Sequence, residues 1–190
     1  MARPRQFDEE RAMDAAMRAF WTAGYEGTST QDLCDATGLG RSSIYNTFKS
    51  KHDLFERALS RYMDGKNAAV FELLEGDAPA RDKVRTLLWQ VIEAPVDDPI
   101  GCLVVNSTVE LGPHDVAVSA TLRKDLERRL DAVTAAIEAG QRRGEIDAGR
   151  NARDLAQFVN ATISGMQVAK RGGAGRDALA GIAGTALTAL

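Results

Sequence analysis

Residues 28–51, TSTQDLCDATGLGRSSIYNTFKSK, constrain this chain most, because their few apolar residues fall at the spacing of two short helices around a tight turn. Ser29 and Asp32 form an S-x-x-D capping pair, which starts a helix over 30–37. Leu33 is its inward residue, and Cys34 and Ala36 are small enough for close helix approach. Gly38 can supply the positive φ that ends it. Leu39 plugs the turn, and a second helix runs over 41–48 with Ile44 and Phe48 on one face. Its other face shows Arg41, Ser42, Ser43, Tyr45, Asn46 and Thr47, and Lys51 opens the next helix. From Ala36 to His52 there are Arg41, Lys49 and Lys51 and no acid, in a chain of net charge −3. A helix about two turns long, faced with small polar groups and flanked by cations, suits a DNA major groove between phosphate strands. The overall acidity is a weak argument against this, since local charge decides.

The rest of the chain reads as helices separated by breakers, with no strand-period stretch and no internal repeat. Residues 1–7 form a polar arm whose Arg3 and Arg5 either reach a minor groove or are simply a solvated end. Asp8 caps a first helix with Met13, Ala16, Met17 and Phe20 as its stripe and Trp21 beside them; Gly24 ends it. A long fourth helix starts near Lys51 and buries Leu54, Ala58, Leu59, Tyr62, Val70, Phe71 and Leu74, with Gly65 a weak point midway. It is read as the only continuous link between two modules, and hence as the lever between them.

Helix 5 covers about 80–93, and APVDDP at 94–99 breaks it. Helix 6, about 100–111, is apolar nearly all round and is expected to be buried. Helix 7 covers about 116–143, with Leu122, Leu126, Leu130, Val133 and Ile137 inward; helices 8 and 9 cover about 152–170 and 177–190. The fold class is all-α: a helix-turn-helix domain over 1–52 and a helical domain over 53–190.

A length of 190 residues, 44% hydrophobic and 27% charged, is that of a globular chain with room for one small module and one larger core. The start lacks an apolar signal core, and the apolar tail 178–190 is too short to span a bilayer, so a cytoplasmic chain without a membrane partner is expected. Cys34 and Cys102 have no metal-ligand spacing and read as reduced thiols. His52 and His114 have no neighbours resembling a triad or a metal site, and Gly38-Leu39-Gly40 follows a helix rather than a strand, which excludes a dinucleotide loop. The carboxylates lie mostly on solvated helix faces. Neither an enzyme nor a cofactor is expected.

Gly24, Tyr25, Thr28, Ser29, Leu33, Gly38, Leu39, Ile44, Tyr45, Phe48, Ser50, Lys51 and Leu54 together resemble the DNA-binding domain of the TetR family of bacterial repressors. The resemblance spans about 8–55. Gly40 departs from it, standing where the family usually has a Ser N-cap, at a cost of only a few tenths of a kcal/mol. Thr47 departs where His or Tyr is common, which shortens that contact. The resemblance implies double-stranded DNA with a palindromic operator as partner. Tyr45 and Lys51 are expected on phosphates, Arg41, Ser42, Ser43 and Asn46 on base edges, and Thr28, Thr30 and Thr47 are counted with the DNA-binding set.

Helices 8 and 9 are apolar on more than one side. Leu155, Phe158, Val159, Thr162, Ile163 and Met166 make one broad face, and Leu179, Ile182, Ala183, Ala186, Leu187 and Leu190 a second. Either they cover this subunit's core, or a second copy covers them. The resemblance implies the second: a four-helix homodimer interface through Leu155, Val159, Thr162, Ile163, Met166, Leu179, Ile182, Ala186 and Leu187.

Helix 6 also carries Cys102, Asn106, Ser107, Thr108 and Glu110, polar groups that cost about 1–3 kcal/mol each if buried without partners. They bond either within the protein or to a ligand. The resemblance implies a cavity for a small-molecule effector, with Tyr62, Met63, Trp89, Cys102, Asn106, Phe158 and Met166 as lining candidates. GCLVVNSTVEL resembles a subgroup in which some members sense electrophiles or oxidants through a cysteine at this place. A first-turn Cys102 would gain from the helix dipole, whereas a buried one would be an inert small hydrophobe. Three readings therefore stand: an effector-released homodimeric repressor, a constitutive or architectural DNA binder, and a thiol sensor through Cys102.

Overall fold

The computed structural model describes residues 3–95 and 98–190, with residues 3–8 by their backbone alone. The roles expected for the side chains of Arg3, Arg5 and Asp8, and the part of the APVDDP break at Val96 and Asp97, lie outside the described residues. Among the described residues there are nine helices and no strand. They are α1 (Arg3–Ala23), α2 (Thr30–Thr37), α3 (Arg41–Thr47), α4 (Lys51–Glu75), α5 (Ala80–Ile92), α6 (Leu103–Glu110), α7 (Val116–Arg142), α8 (Ala152–Arg171) and α9 (Arg176–Thr188). The all-α reading holds. The first helix begins at Arg3, so the backbone of 3–7 is helical rather than a free arm.

Two compact units divide the chain, one made of Met1–Gly65 and Cys102–Ala120, the other of Lys66–Gly101 and Thr121–Leu190. Both α4 and α7 run unbroken through the boundary, at Gly65 and at Ala120. The expectation that α4 is the only continuous link is therefore corrected: α6 packs with α1, so the chain returns to the first unit before α7 leaves it.

The first unit is built around aromatic rings. Phe20 and Phe55 meet edge to face at 5.2 Å, Tyr25 and Phe55 at 5.0 Å, and Trp21 and Tyr62 at 4.9 Å. Ala12, Ala16, Phe20 and Trp21 form the buried line of α1, while Met13 and Met17, expected there, are half-buried at its sides. Leu33, Ile44, Phe48, Leu54 and Leu59 complete the core, each almost wholly buried. Hydrophobic burial of such side chains contributes about 1.5–3 kcal/mol apiece.

Helix α6 is shorter and wetter than its composition suggests. Only Leu103 and Ser107 are buried within it, Val109 is 74% exposed, and Ile100 precedes it at 60%. An eight-residue helix fastened along one face cannot hide its whole circumference. Two of its polar groups bond locally: the Ser107 hydroxyl donates to Leu103 O at 2.7 Å and the Thr108 hydroxyl to Val104 O at 2.8 Å.

The second unit has a continuous aliphatic core drawn from α4, α5, α7, α8 and α9, including Val70, Leu74, Leu88, Val133, Ile137, Val159, Met166 and Ala183. Helix α5 starts after Pro79 without a side-chain cap of its own, and Glu145 supplies one by accepting the Ala80 N–H at 2.7 Å. On α7 the inward line passes through Leu122, Asp125, Leu130, Val133 and Ile137; Leu126, expected inside, is 37% exposed. The buried side of that turn is thus held by a carboxylate.

Candidate nucleic-acid interface

The turn at 38–40 is built as its residues dictate. Ser29 caps α2 in both directions: its hydroxyl accepts from the Asp32 N–H at 3.1 Å, and its own N–H donates to Asp32 Oδ2 at 2.7 Å. Hydrogen bonding toward the carboxylate, from the Ser29 side chain first and its backbone N–H second, holds the Asp32 carboxyl below its ordinary range. Gly38 takes φ +70°, a conformation glycine adopts without steric cost, and its N–H closes onto Cys34 O at 2.9 Å. The Thr37 hydroxyl donates to Leu33 O and accepts the Leu39 N–H, stitching the turn from inside. Leu39 itself is half-buried.

Helix α3 follows with seven residues, pinned by Ile44 and by Phe48 just past its end. Pinning one face exposes the other, and Arg41, Ser42, Ser43, Tyr45, Asn46 and Thr47 are all exposed. The Tyr45 hydroxyl lies 3.2 Å from that of Thr30, a half-buried residue at the start of α2, so this bond orients Tyr45. The Lys51 ammonium stands 4.2 Å from the centroid of the Tyr25 ring, which positions the cation at the start of α4. Thr28 is a correction. It is 1% exposed, and its hydroxyl donates to Gly24 O at 2.6 Å, closing the α1–α2 turn instead of facing a nucleic acid. Lys49, exposed beside α3, belongs to the same cationic rim, although the pattern of α3 alone did not include it.

Two ties within the first unit hold this surface, and no local motif announces either. The Glu110 carboxylate at the end of α6 accepts the N–H groups of Tyr25 at 3.0 Å and Glu26 at 2.8 Å. It sits so close to Gly24, whose φ is +82°, that an added Cβ would lie 2.8 Å from Glu110 Oε2. His52, in the first turn of α4, meets Asp115 at 2.5 Å, and Asp115 also accepts the Val118 N–H at the start of α7. The Asp115 bond raises the His52 pKa above its ordinary value. The Val118 N–H first, and His52 second, lower that of Asp115.

The effector candidates fall into separate groups. Tyr62, Met63, Cys102 and Asn106 belong to the first unit, and Trp89, Phe158 and Met166 to the second. Tyr62 donates its hydroxyl to Cys102 Sγ at 3.5 Å. Cys102 is the N-cap residue of α6 rather than part of its first turn, and its side chain makes no capping bond. One turn on, the Asn106 Nδ2 is buried without a hydrogen-bond partner, so internal bonding does not account for it. In the second unit Met166 is fully buried in the aliphatic core, Trp89 is half-buried at its edge, and Phe158 is 42% exposed.

The face assigned to a second copy also needs correction. Leu155, Val159, Met166, Leu179, Ala186 and Leu187 are buried in this chain's own core, and Ile163 packs against it. Thr162 is half-buried and bonds Phe158 O. What α8 and α9 leave exposed is the opposite side: Phe158 and Val168 at 57% on α8, and Ile182 at 41% on α9, among exposed Ala161, Gly165, Ala178 and Gly181. Helical spacing identifies two apolar faces but cannot say which of them the subunit keeps.

A pinned helix that shows only donors, acceptors and cations, mounted across a Gly turn on a capped helix, defines a helix-turn-helix DNA-binding protein. The chain belongs to the TetR family. The profile for bacterial regulatory proteins of the tetR family matches residues 12–58, and that for the tetracyclin repressor-like C-terminal domain matches 80–180. ComR of Escherichia coli (strain K12), an HTH-type transcriptional repressor, is 33% identical over 188 residues, 97% of this chain and 90% of ComR. YezE of Bacillus subtilis (strain 168), an uncharacterized HTH-type transcriptional regulator, is 32% identical over 164 residues, 84% of each chain. Among solved structures, a cysteine mutant of the TetR family transcriptional regulator CifR, complexed with 26bp double-strand operator DNA, superposes with a TM-score of 0.88. It is 29% identical, with 99% of both chains covered. The protein is thus a DNA-binding transcriptional regulator of this family and not an enzyme. No helix among the described residues is long and apolar enough to cross a membrane.

Proposed function

We propose that this chain is a cytoplasmic homodimeric repressor that leaves a palindromic operator when a small molecule binds its C-terminal unit. The observation that carries the DNA half is the exposed face of α3, where Arg41, Ser42, Ser43 and Asn46 stand free above a fully buried Ile44. The uncharged outer stripe of α8 and α9 supports the dimer, since an apolar face of this kind is stabilised by covering it. Two copies related by a twofold axis read a twofold sequence with half-sites about one helical turn apart or slightly more. Release follows if the effector binds better to a conformation in which α4 and α7, the two helices continuous with the DNA-reading unit, are displaced. Selection from a random duplex library tests the reading. It should return a twofold-symmetric site, and enrichment without sequence preference would reduce the chain to an architectural binder.

A second reading has its own observation. The Cys102 thiol accepts a hydrogen bond from Tyr62, and the unpartnered Asn106 amide lies one turn away, so two donors are available to an oxygen or negative charge formed on sulfur. In this reading the Cys102 sulfur gives up its thiol proton to solvent and attacks an electrophile, forming a covalent adduct that releases DNA. Limiting N-ethylmaleimide followed by mass spectrometry decides it: labelled Cys102 with DNA released, and Cys102→Ser unaffected, support sensing, whereas an unlabelled Cys102 ends it.

A further inference from the structure

Asn67 on α4 and Asp125 on α7 form a polar pair inside the second unit, 3% and 6% exposed. The Asn67 Nδ2 donates to Asp125 Oδ1 at 2.5 Å, and the Asn67 Oδ1 is buried with no partner at all. The surroundings are apolar: Val70 and Leu74 lie on the same face of α4 at helical spacing, and Leu122 and Leu130 flank Asp125 on α7, all buried. Among the described residues no cation pairs with Asp125. Arg128, one turn on, is exposed with its guanidinium 5.4 Å from the Phe71 ring, and the Lys66 ammonium is 3.8 Å from Asp98.

A buried carboxylate with one neutral partner, beside a buried carbonyl with none, is an arrangement that a fold does not gain stability from. Both groups are acceptors, so they are completed by a ligand that brings positive charge and more than one N–H donor. We propose that Asn67 and Asp125 form a binding site for an organic cation, a protonated amine with an apolar body. The ammonium would bridge the Asp125 carboxylate and the Asn67 carbonyl, while the body replaces aliphatic contacts between α4 and α7. Admitting it parts these two helices, which are the ones continuous with the DNA-reading unit. The proposal rests on the effector reading for its consequence on DNA, but not for binding itself.

The experiment uses the full-length protein and n-hexylammonium as probe, with hexan-1-ol and hexanoate as matched neutral and anionic controls. Calorimetry and thermal melts read binding directly. Hexylammonium should bind and raise the melting temperature, the two controls should bind at least about tenfold more weakly, and Asp125→Asn should lose about tenfold or more of the ammonium affinity. Asp125→Asn keeps the shape and the acceptor for the Asn67 Nδ2, removes the charge and turns one carboxylate oxygen into an N–H donor; Asn67→Leu, which removes the unpartnered carbonyl, provides the second variant. No binding of hexylammonium, equal binding of hexan-1-ol, or unchanged affinity in both variants overturns the proposal. Operator affinity is measured separately without probe. Loss of sequence-specific DNA binding there refutes the repressor reading, and ammonium binding that leaves a bound operator in place refutes only the coupling.

Discussion

Replacing Glu110 by Ala removes the carboxylate that accepts the Tyr25 and Glu26 N–H groups across the first unit. A hydrogen bond to a charged group contributes roughly 1.5–3 kcal/mol, and the Tyr25 bond is part-buried while the Glu26 bond is exposed, so together they are worth about 2–3 kcal/mol. For a chain of 190 residues each kcal/mol moves the melting temperature by roughly 2–4 °C, which gives a fall of about 4–12 °C. Gly24→Ala reports on the same joint from the other side. At φ +82°, and with its Cβ 2.8 Å from Glu110 Oε2, it pays for both backbone strain and a displaced clamp. In a Glu110→Ala background only the strain remains, so the double variant should be less unstable than the sum of the two by about 1 kcal/mol or more. Thermal melts of the four proteins, with operator affinity alongside, measure this. Strict additivity, or a melting temperature unchanged in Glu110→Ala, would refute the claim that α6 holds the α1–α2 turn.

The His52–Asp115 tie depends on pH in a direction that follows from its shifts. With the His52 pKa raised, its contribution is complete below the ordinary histidine value and is lost as pH rises through the raised one; with the Asp115 pKa lowered, its contribution is present above the ordinary carboxylate value and lost as pH falls through the lowered one. The stability advantage of wild type over His52→Gln should therefore be larger at about pH 6 than at about pH 9, and a gap independent of pH would remove the ion pair from the account. Lys51→Ala should weaken binding to all sequences alike and lower the salt slope by roughly one unit per site, whereas Arg41→Ala should relax preference at one position per half-site. Equal loss on all sequences would move Arg41 to the phosphate contacts. Ile182→Glu with Phe158→Glu should give a folded monomer by sedimentation, while Leu187→Glu, placing a charge in the subunit's own core, should fail to fold; a dimer that survives the first pair takes these helices out of the interface.

The reading head was legible in the sequence because its determinants are local. A capping box, a glycine at positive φ and two apolar residues one turn apart each act within a few residues, so Ser29, Gly38, Ile44 and Phe48 could be placed without knowledge of the rest. The all-α class followed for the same reason, from periodicity. Packing decided what periodicity cannot. Helices α8 and α9 have two apolar sides, and only the core settled that Leu155 and Leu187 face inward and Phe158 and Ile182 outward. Thr28 carries a hydroxyl suited to DNA, and the returning α1–α2 turn buried it against Gly24. The Glu110 clamp joins groups 84 and 85 residues apart, and the Asn67–Asp125 pair joins groups 58 apart. Contacts at such separations depend on how helices dock, and a helix's own pattern holds no record of the neighbour it will meet.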